Sequence, residues 1–435
     1  MLTRRYFLKT TGAVLSYMGV APFLPGSALA GITPRAAARS KTLVVIFLRG
    51  GADGLNLVVP HGDKDYSLLR KSLAVSGPAS DDKARSAIDL DGFFGLNPRL
   101  AALKPLFDDR LAVAAHAVGY DRNTRSHFEE QDTWETGVVG NTLSSDGWLN
   151  RHLLTSTSPT GSPMRAVAIG DSLPRIMHGK ASAFAIRGLE DLALPTSKKA
   201  DPGVVTAALE HAYARSPAGL HPAQNARELL SQATDTTLEG IHQLRTITAT
   251  EYKPAAEYPK SDLARKLTQI ARLIKADVGL EVAEVDIGGW DTHQNQGRGG
   301  DGQLGNLAQQ LGEAIAAFTR DLGDRIDDTL VVTATDFGRT AAENGTGGTD
   351  HGWANCMFVV GGAVKRGHEA REGGYKPVVA NWPGLAPDQL HQKRDLLHTT
   401  DFRDVLGELV ATHLGNTDIQ TVLPAHQFKR VGLIA

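Results

Sequence analysis

A chain of 435 residues with 41% hydrophobic content has enough apolar material for one large core or two ordinary ones, which excludes a disordered polypeptide. Its 46 Lys and Arg against 48 Asp and Glu leave a formal charge of −2, so its charge gives no case for a nucleic-acid partner or an anionic membrane surface. The single cysteine excludes an intramolecular disulfide, and the setting of Cys356 in the apolar run NCMFVVGG reads as a buried small hydrophobe, not a nucleophile.

The first thirty residues read apart from the rest. TRRYFLK (3–9), the apolar run from Ala13 to Leu24 and ALA (28–30) make the basic, apolar and small-residue regions of an export signal, with cleavage expected after Ala30. The pair Arg4 and Arg5, followed by Phe7, Leu8 and Lys9, matches the twin-arginine form, whose machinery carries folded proteins. The expected partner is that export machinery and the expected destination the periplasm, with no membrane span left after cleavage. The other reading, an amphipathic surface helix, fits the flanks less well.

Residues 31–41, rich in Pro, Ala, Arg and Ser, read as a linker to a single domain over 42–435. TLVVIFLRGGADGLN (42–56) is a continuous β-branched run ending in a glycine turn, the pattern of a strand buried on both faces. Further strand-like runs follow at 110–119, 164–170, 280–289, 328–336 and 356–362. About 195–260 carries no strand signal and reads as a helical insertion. Apolar positions every three or four residues predict helices over 261–277, with Ser261 as N-cap, and over 303–322. Strands alternating with helices predict an α/β fold with a central, largely parallel sheet covered on both sides, its ligands beyond the carboxyl ends of the strands.

Polar clusters stand where these apolar runs stop. Asp53 follows the first; Asp291 and His293 stand in GGWDTHQNQ (288–296); Asp336 follows LVVTAT; Asp350 and His351 lie in GTDHGWAN (348–355), before the last strand. Asp and His hold zinc, manganese or related divalent ions, and a multinuclear site needs several of them from distant segments. Flanking glycines let the backbone approach an ion or substrate closely. Each acid also has a plainer reading, in which Asp53 and Asp350 make turns and Asp336 caps one. The segment GYDRNTRSHFEEQDTWETG (119–137) opens another helix, where Thr124 or Ser126 could serve as nucleophile beside Arg122 or Arg125. Equally, Asn123, Thr124 or Ser126 could simply cap that helix.

FLRGGADGLN, RSHFEEQD, GGWDTHQNQ, TDFGRT and GTDHGWAN together resemble the domain-of-unknown-function 1501 family of exported bacterial proteins, over essentially the whole chain after the leader. That family is grouped with the alkaline-phosphatase-like superfamily of phosphatases and sulfatases. The resemblance implies a three-layer α/β/α sandwich with one or two divalent ions at the strand ends. It implies Asp53, Asp291, His293, Asp336, Asp350 and His351 as metal ligands. Phe337 stands where the superfamily has a histidine; His351 could be the last histidine ligand, with Asp350 beside it supplying what Phe337 cannot. Ser126 loosely resembles the nucleophile; His127 could serve as acid, base or ligand, and Arg339, three residues after Asp336, could hold a substrate oxygen pair or equally make a surface ion pair.

The function expected is hydrolysis of phosphate or sulfate esters on a small molecule or polymer. The rival expectation is a non-catalytic binding protein on the same fold with a degenerate metal site, holding one structural ion or none. RGGADG lacks the spacing of a dinucleotide loop, and no G-x-S-x-G serine elbow is present.

Overall fold

Seven consecutive buried residues, Thr42–Leu48, form the strand at the centre of the molecule. Their side chains alternate between two apolar clusters, Val44, Ile46 and Leu48 in one and Leu43, Val45 and Phe47 in the other. A strand with two apolar faces must be covered twice, which is why helices lie on both sides. Each fully buried Leu, Ile or Val contributes about 1.5–3 kcal/mol.

The computed structural model describes residues 39–140, 146–189, 236–298, 300–369 and 374–434. The leader expected over 1–30 lies outside them, as do linker residues 31–38 and the greater part of the expected helical insertion. The described remainder of that insertion is helical over 236–248. Among the described residues no helix is long and apolar enough to cross a membrane.

Among the described residues the main sheet has nine strands: β1 (Thr42–Leu48), β2 (Ala112–Gly119), β3 (Ala166–Ile169), β4 (Phe184–Ile186), β5 (Val282–Ile287), β6 (Thr329–Thr335), β7 (Asn355–Gly361), β8 (Val378–Val379) and β9 (Thr400–Asp401). Their order is β8-β2-β7-β6-β1-β5-β3-β4, with β9 also paired to β2. Every pairing is parallel except the two made by β7, which runs against both β2 and β6. The carboxyl ends of β1, β5 and β6 therefore share one rim with the amino end of β7.

The helices used below are α1 (His127–Thr136), α2 (Trp148–Thr155), α3 (Asp262–Lys275), α4 (Gly302–Leu322) and α5 (Phe402–Glu408). Helices α3 and α4 cover one face through Leu263, Leu267, Ile270, Leu304, Leu311 and Ile315. On the other face lie α2 and α5, through Trp148, Leu149, Leu153, Phe402 and Val405. Ser261 caps α3 as its sequence position predicts, its side chain accepting from the Ala264 amide at 3.2 Å. The mixed α/β class, the mostly parallel sheet and its flanking helices agree with the sequence expectation.

Candidate metal centre

Three loops at the shared rim meet beside the start of α1. The turn after β1 passes so close to the loop after β5 that a side chain at Gly50 would stand 2.6 Å from the Asp291 amide, and Gly50 has φ +119°. At Gly51, φ +74°, a Cβ would strike the Phe337 ring at 2.5 Å. Glycine is required at both positions, and the run RGG is read that way. Beyond β6 the chain folds back on itself. Gly338 and Trp353 share a backbone hydrogen bond of 3.0 Å, Thr340 and Asp350 another of 3.0 Å, and Arg339 and His351 form a bridge. This short hairpin delivers His351 to the rim immediately before β7.

Asp291, His127, His293 and His351 come together there. His351 Nε2 lies 3.2 Å from Asp291 Oδ1, His293 Nε2 3.1 Å from the same oxygen, and His127 Nε2 3.5 Å from Asp291 Oδ2. The two nitrogens His293 Nε2 and His351 Nε2 are 2.9 Å apart. The opposite nitrogen of each ring is engaged by an oxygen. His127 Nδ1 meets Asp336 Oδ2 at 2.7 Å, His293 Nδ1 meets Asp350 Oδ1 at 3.0 Å, and His351 Nδ1 meets the Arg125 carbonyl at 2.8 Å.

A carbonyl or carboxylate oxygen only accepts, so in a neutral imidazole each of these Nδ1 atoms carries the proton and each Nε2 presents a lone pair. Several lone pairs and a carboxylate then face one another, an arrangement suited to a cation. His127, Asp291 and His351 form a group that could hold a metal ion, and His293 adjoins it. Tetrahedral zinc with nitrogen ligands sets neighbouring donor atoms about 3.3 Å apart. Four of the donor spacings, 2.9–3.5 Å, are of that size, and the ligand atoms of His127, Asp291 and His351 all lie within 4.8 Å of one another. Orientation of each ring through its second nitrogen is the usual support of a histidine ligand.

Asp336 is fully buried and holds three donors. Besides His127 it accepts from Gln131 Nε2 at 2.8 Å and from the Gly50 amide at 3.0 Å. Burial pushes the Asp291 carboxyl up, but the Arg339 hydrogen bond and charge, helped by His293 and His351, outweigh it and hold it below its ordinary value. The Asp350 carboxyl is lowered by its hydrogen bonds from Asn344 and His293. Burial lowers His351, against the raising effect of the Arg125 carbonyl, which favours the neutral ring.

The other expected residues are placed differently. Arg339 is buried, and its nitrogens go to the carbonyls of Gly50, Gly51, Trp290 and Thr349 and to Asp291 Oδ1, at 2.5–3.0 Å. It pins Asp291 to the glycine turn instead of opening toward a substrate oxygen pair. Asp53 is buried with Arg70, 2.5 Å away, and accepts from Gln296 Nε2 at 2.6 Å, so its hydrogen bonds go to neither His127, His293 nor His351. Ser126 occupies the N-cap position of α1 but makes no side-chain capping bond. The Thr124 hydroxyl is already committed to Glu130 Oε1 at 2.9 Å. The Phe337 ring, fully buried, lies 4.8 Å from the His127 ring and 4.5 Å from the His351 ring, a phenyl floor under the imidazoles.

Sequence reasoning missed Gln131, Asn344, Arg70 and Gln296. Gln131 follows His127 by one helical turn, a spacing that puts both on one face and could have been noticed. Asn344 ties Asp350 Oδ1, at 3.0 Å, to the His293 carbonyl, at 2.8 Å, inside a loop with no periodic signal. Arg70 and Gln296 reach Asp53 only through tertiary contact.

Residues 111–425 match the family described as Protein of unknown function (DUF1501). The matched span holds every residue of the imidazole cluster and leaves Asp53 outside. No curated protein matches the chain.

Proposed function

The chain belongs to the DUF1501 family, and from that premise we propose that it is an exported, metal-dependent hydrolase of phosphate or sulfate esters. In this reading one divalent ion, zinc or manganese, is held by His127, His293, His351 and Asp291 on an alkaline-phosphatase-like α/β/α sandwich. The observation that carries it is the commitment of all three Nδ1 atoms to oxygen acceptors, which turns the Nε2 lone pairs toward the Asp291 carboxylate. One ion rather than two is favoured because Phe337 follows Asp336 in sequence where the resemblance expects a histidine, and its phenyl ring offers no ligand atom beside His127 and His351.

When bound, a divalent ion would polarise an ester oxygen and acidify a water at neutral pH. The protein's own groups do the rest. Asp336 and Asp350 keep His127 and His293 in the ligand tautomer, while Arg339 fixes Asp291 from the buried side. In this reading Ser126, which precedes His127 and makes no capping bond, is the candidate nucleophile. The substrate, a small-molecule or polymer ester, would enter from the exposed side of Asp291, whose side chain is 44% exposed.

A second reading, a non-catalytic binding protein on the same fold with a degenerate metal site, is favoured by one observation: Arg339 spends its nitrogens internally. Metal analysis and ester-hydrolysis assays separate the two. The hydrolase reading expects about one zinc or manganese per chain, and Asp291→Ala should lose the metal and lower turnover by more than about a hundredfold. Metal-free wild-type protein, or an Asp291→Ala variant of undiminished activity, would remove the catalytic reading. Metal-loaded wild-type protein inert toward every ester would leave the binding protein.

Export through the twin-arginine route rests on TRRYFLK (3–9). Replacing Arg4 and Arg5 together by Lys should trap the precursor in the cytoplasm, and normal secretion of that variant would reject the route.

A further inference from the structure

The ring of His351 is oriented by a backbone carbonyl, and the position of that carbonyl depends on a residue far away in sequence. Arg125, whose oxygen meets His351 Nδ1 at 2.8 Å, has φ +60°, in the left-handed region that a non-glycine residue enters only under strain. Its side chain is held by Asp395, to whose Oδ2 the guanidinium donates from Nε at 3.0 Å and from a terminal nitrogen at 2.6 Å. The same terminal nitrogen reaches Gln392 Oε1 at 2.8 Å, and the guanidinium lies 5.2 Å from the Trp353 ring centre.

Asp395 is fully buried, and its second oxygen has no hydrogen-bond partner. It sits on a loop strained in the same sense, with Gln392 at φ +53° and Lys393 at φ +56°. The loop is closed by reciprocal backbone bonds of 2.8 and 3.0 Å between His391 and Asp395. Arg394 next to it donates to the His351 carbonyl at 2.8 Å. Three left-handed residues and a buried acid with an orphan oxygen make a poor device for stability. They make a rigid one for holding Arg125 and His351 from both sides.

We propose that Asp395 is a positioning residue of the metal centre: by gripping Arg125 it fixes the carbonyl that orients the His351 imidazole. Without the grip Arg125 relaxes toward negative φ, its carbonyl turns away, and the ring is free to rotate or to take the other tautomer, with the lone pair on Nδ1. This inference rests on the metal-centre reading of the preceding subsection.

The experiment measures zinc affinity by competition with a chromophoric chelator, together with the visible spectrum of the cobalt(II)-loaded protein, in wild type and Asp395→Asn. Loss of an outer support to a ligand weakens metal binding about 10–100-fold, so the variant should bind zinc at least about tenfold more weakly and show an altered cobalt spectrum. Asp321→Asn is the control. Asp321 is an equally buried acid, paired with Lys275 at 2.7 Å at the far end of α4. Its loss should lower stability and leave both metal readouts unchanged. If Asp395→Asn does not fold, Arg125→Lys decides, because it keeps a cation for Asp395 but loses the two-nitrogen grip, and it should show the same weakening in smaller measure. Zinc affinity within about twofold of wild type and an unchanged cobalt spectrum in these variants would overturn the role of Asp395 while leaving the centre intact. Failure of the wild type to bind zinc or cobalt would instead overturn the metal centre itself, and Asp395 with it.

Discussion

Asp53 and Asp291 stand in similar local sequence, RGGADG after β1 and IGGWDT after β5, and those two strands are parallel neighbours. One has become a strut and the other the centre of a polar cluster. Asp53 is fully buried against Arg70, whose other donors go to Asn56 Oδ1 and to the carbonyls of Thr340 and Ala341, at 2.7–3.0 Å. The cation that neutralises it belongs to the chain and cannot leave. Asp291 has a guanidinium on its buried side only, and its open side faces imidazoles that are neutral when they act as ligands. Both acids have a built-in guanidinium, and they differ in exposure: Asp53 is sealed in, whereas the Asp291 side chain is 44% exposed on the side of the imidazoles. Gln296 joins the two regions, donating to Asp53 Oδ2 and accepting from the Thr292 and Thr349 hydroxyls, with all three bonds at 2.6–2.8 Å.

The largest effect that would break the comparison is expected at Asp53. Asp53→Ala leaves the buried Arg70 without its carboxylate and should cost about 3–5 kcal/mol in urea unfolding. Zinc affinity of the folded fraction should stay within about twofold of wild type. Asp291→Ala should lose the metal, at a stability cost of its own because the buried Arg339 is left without a carboxylate, so zinc affinity is the readout that separates the two acids. If Asp53→Ala instead lost metal at unchanged stability, the roles assigned to the two acids would have to be exchanged.

A smaller effect sharpens the contrast through pH. Near Asp53, burial pulls the His116 imidazole down to about 4, against the opposing pull of its bond to the Val58 carbonyl and the charge of Asp53. The unfolded chain takes up this proton near pH 6.5 and the folded protein does not until about pH 4. Stability is therefore fully present above pH 6.5 and falls as pH drops through that window, by roughly 3 kcal/mol in all for this one group. Urea midpoints measured between pH 7 and pH 4 should fall accordingly, and His116→Gln should flatten the slope. An equal slope in that variant would assign the acid sensitivity elsewhere.

Much of the scaffold was legible. The runs at 110–119, 280–289 and 328–336 became β2, β5 and β6 with ends displaced by two residues or fewer, because buried strands and amphipathic helices write their burial directly into apolar periodicity. The polar cargo at the strand ends was legible too, since glycine flanked by Asp and His stands out against apolar runs. What each acid does was not legible. Asp53 and Asp291 differ only in their partners, Arg70 in one case and Arg339 with three imidazoles in the other, and those partners arrive from elsewhere in the chain. Arg339 looked like a free substrate-holding arginine because nothing in TDFGRT shows that four carbonyls await its guanidinium.

By itself, then, the amino-acid order determined the α/β class, the strands and principal helices, and the list of acids and histidines from which a centre could be assembled. Those features follow from local periodicity and from residue chemistry. Only the tertiary structure decided which of them meet. His351 precedes its strand, and had β7 run parallel to its neighbours, that loop would lie on the opposite rim from Asp291. The antiparallel course of β7 brings it to the carboxyl ends of β1, β5 and β6, and strand direction is set by long-range pairing that no local pattern encodes.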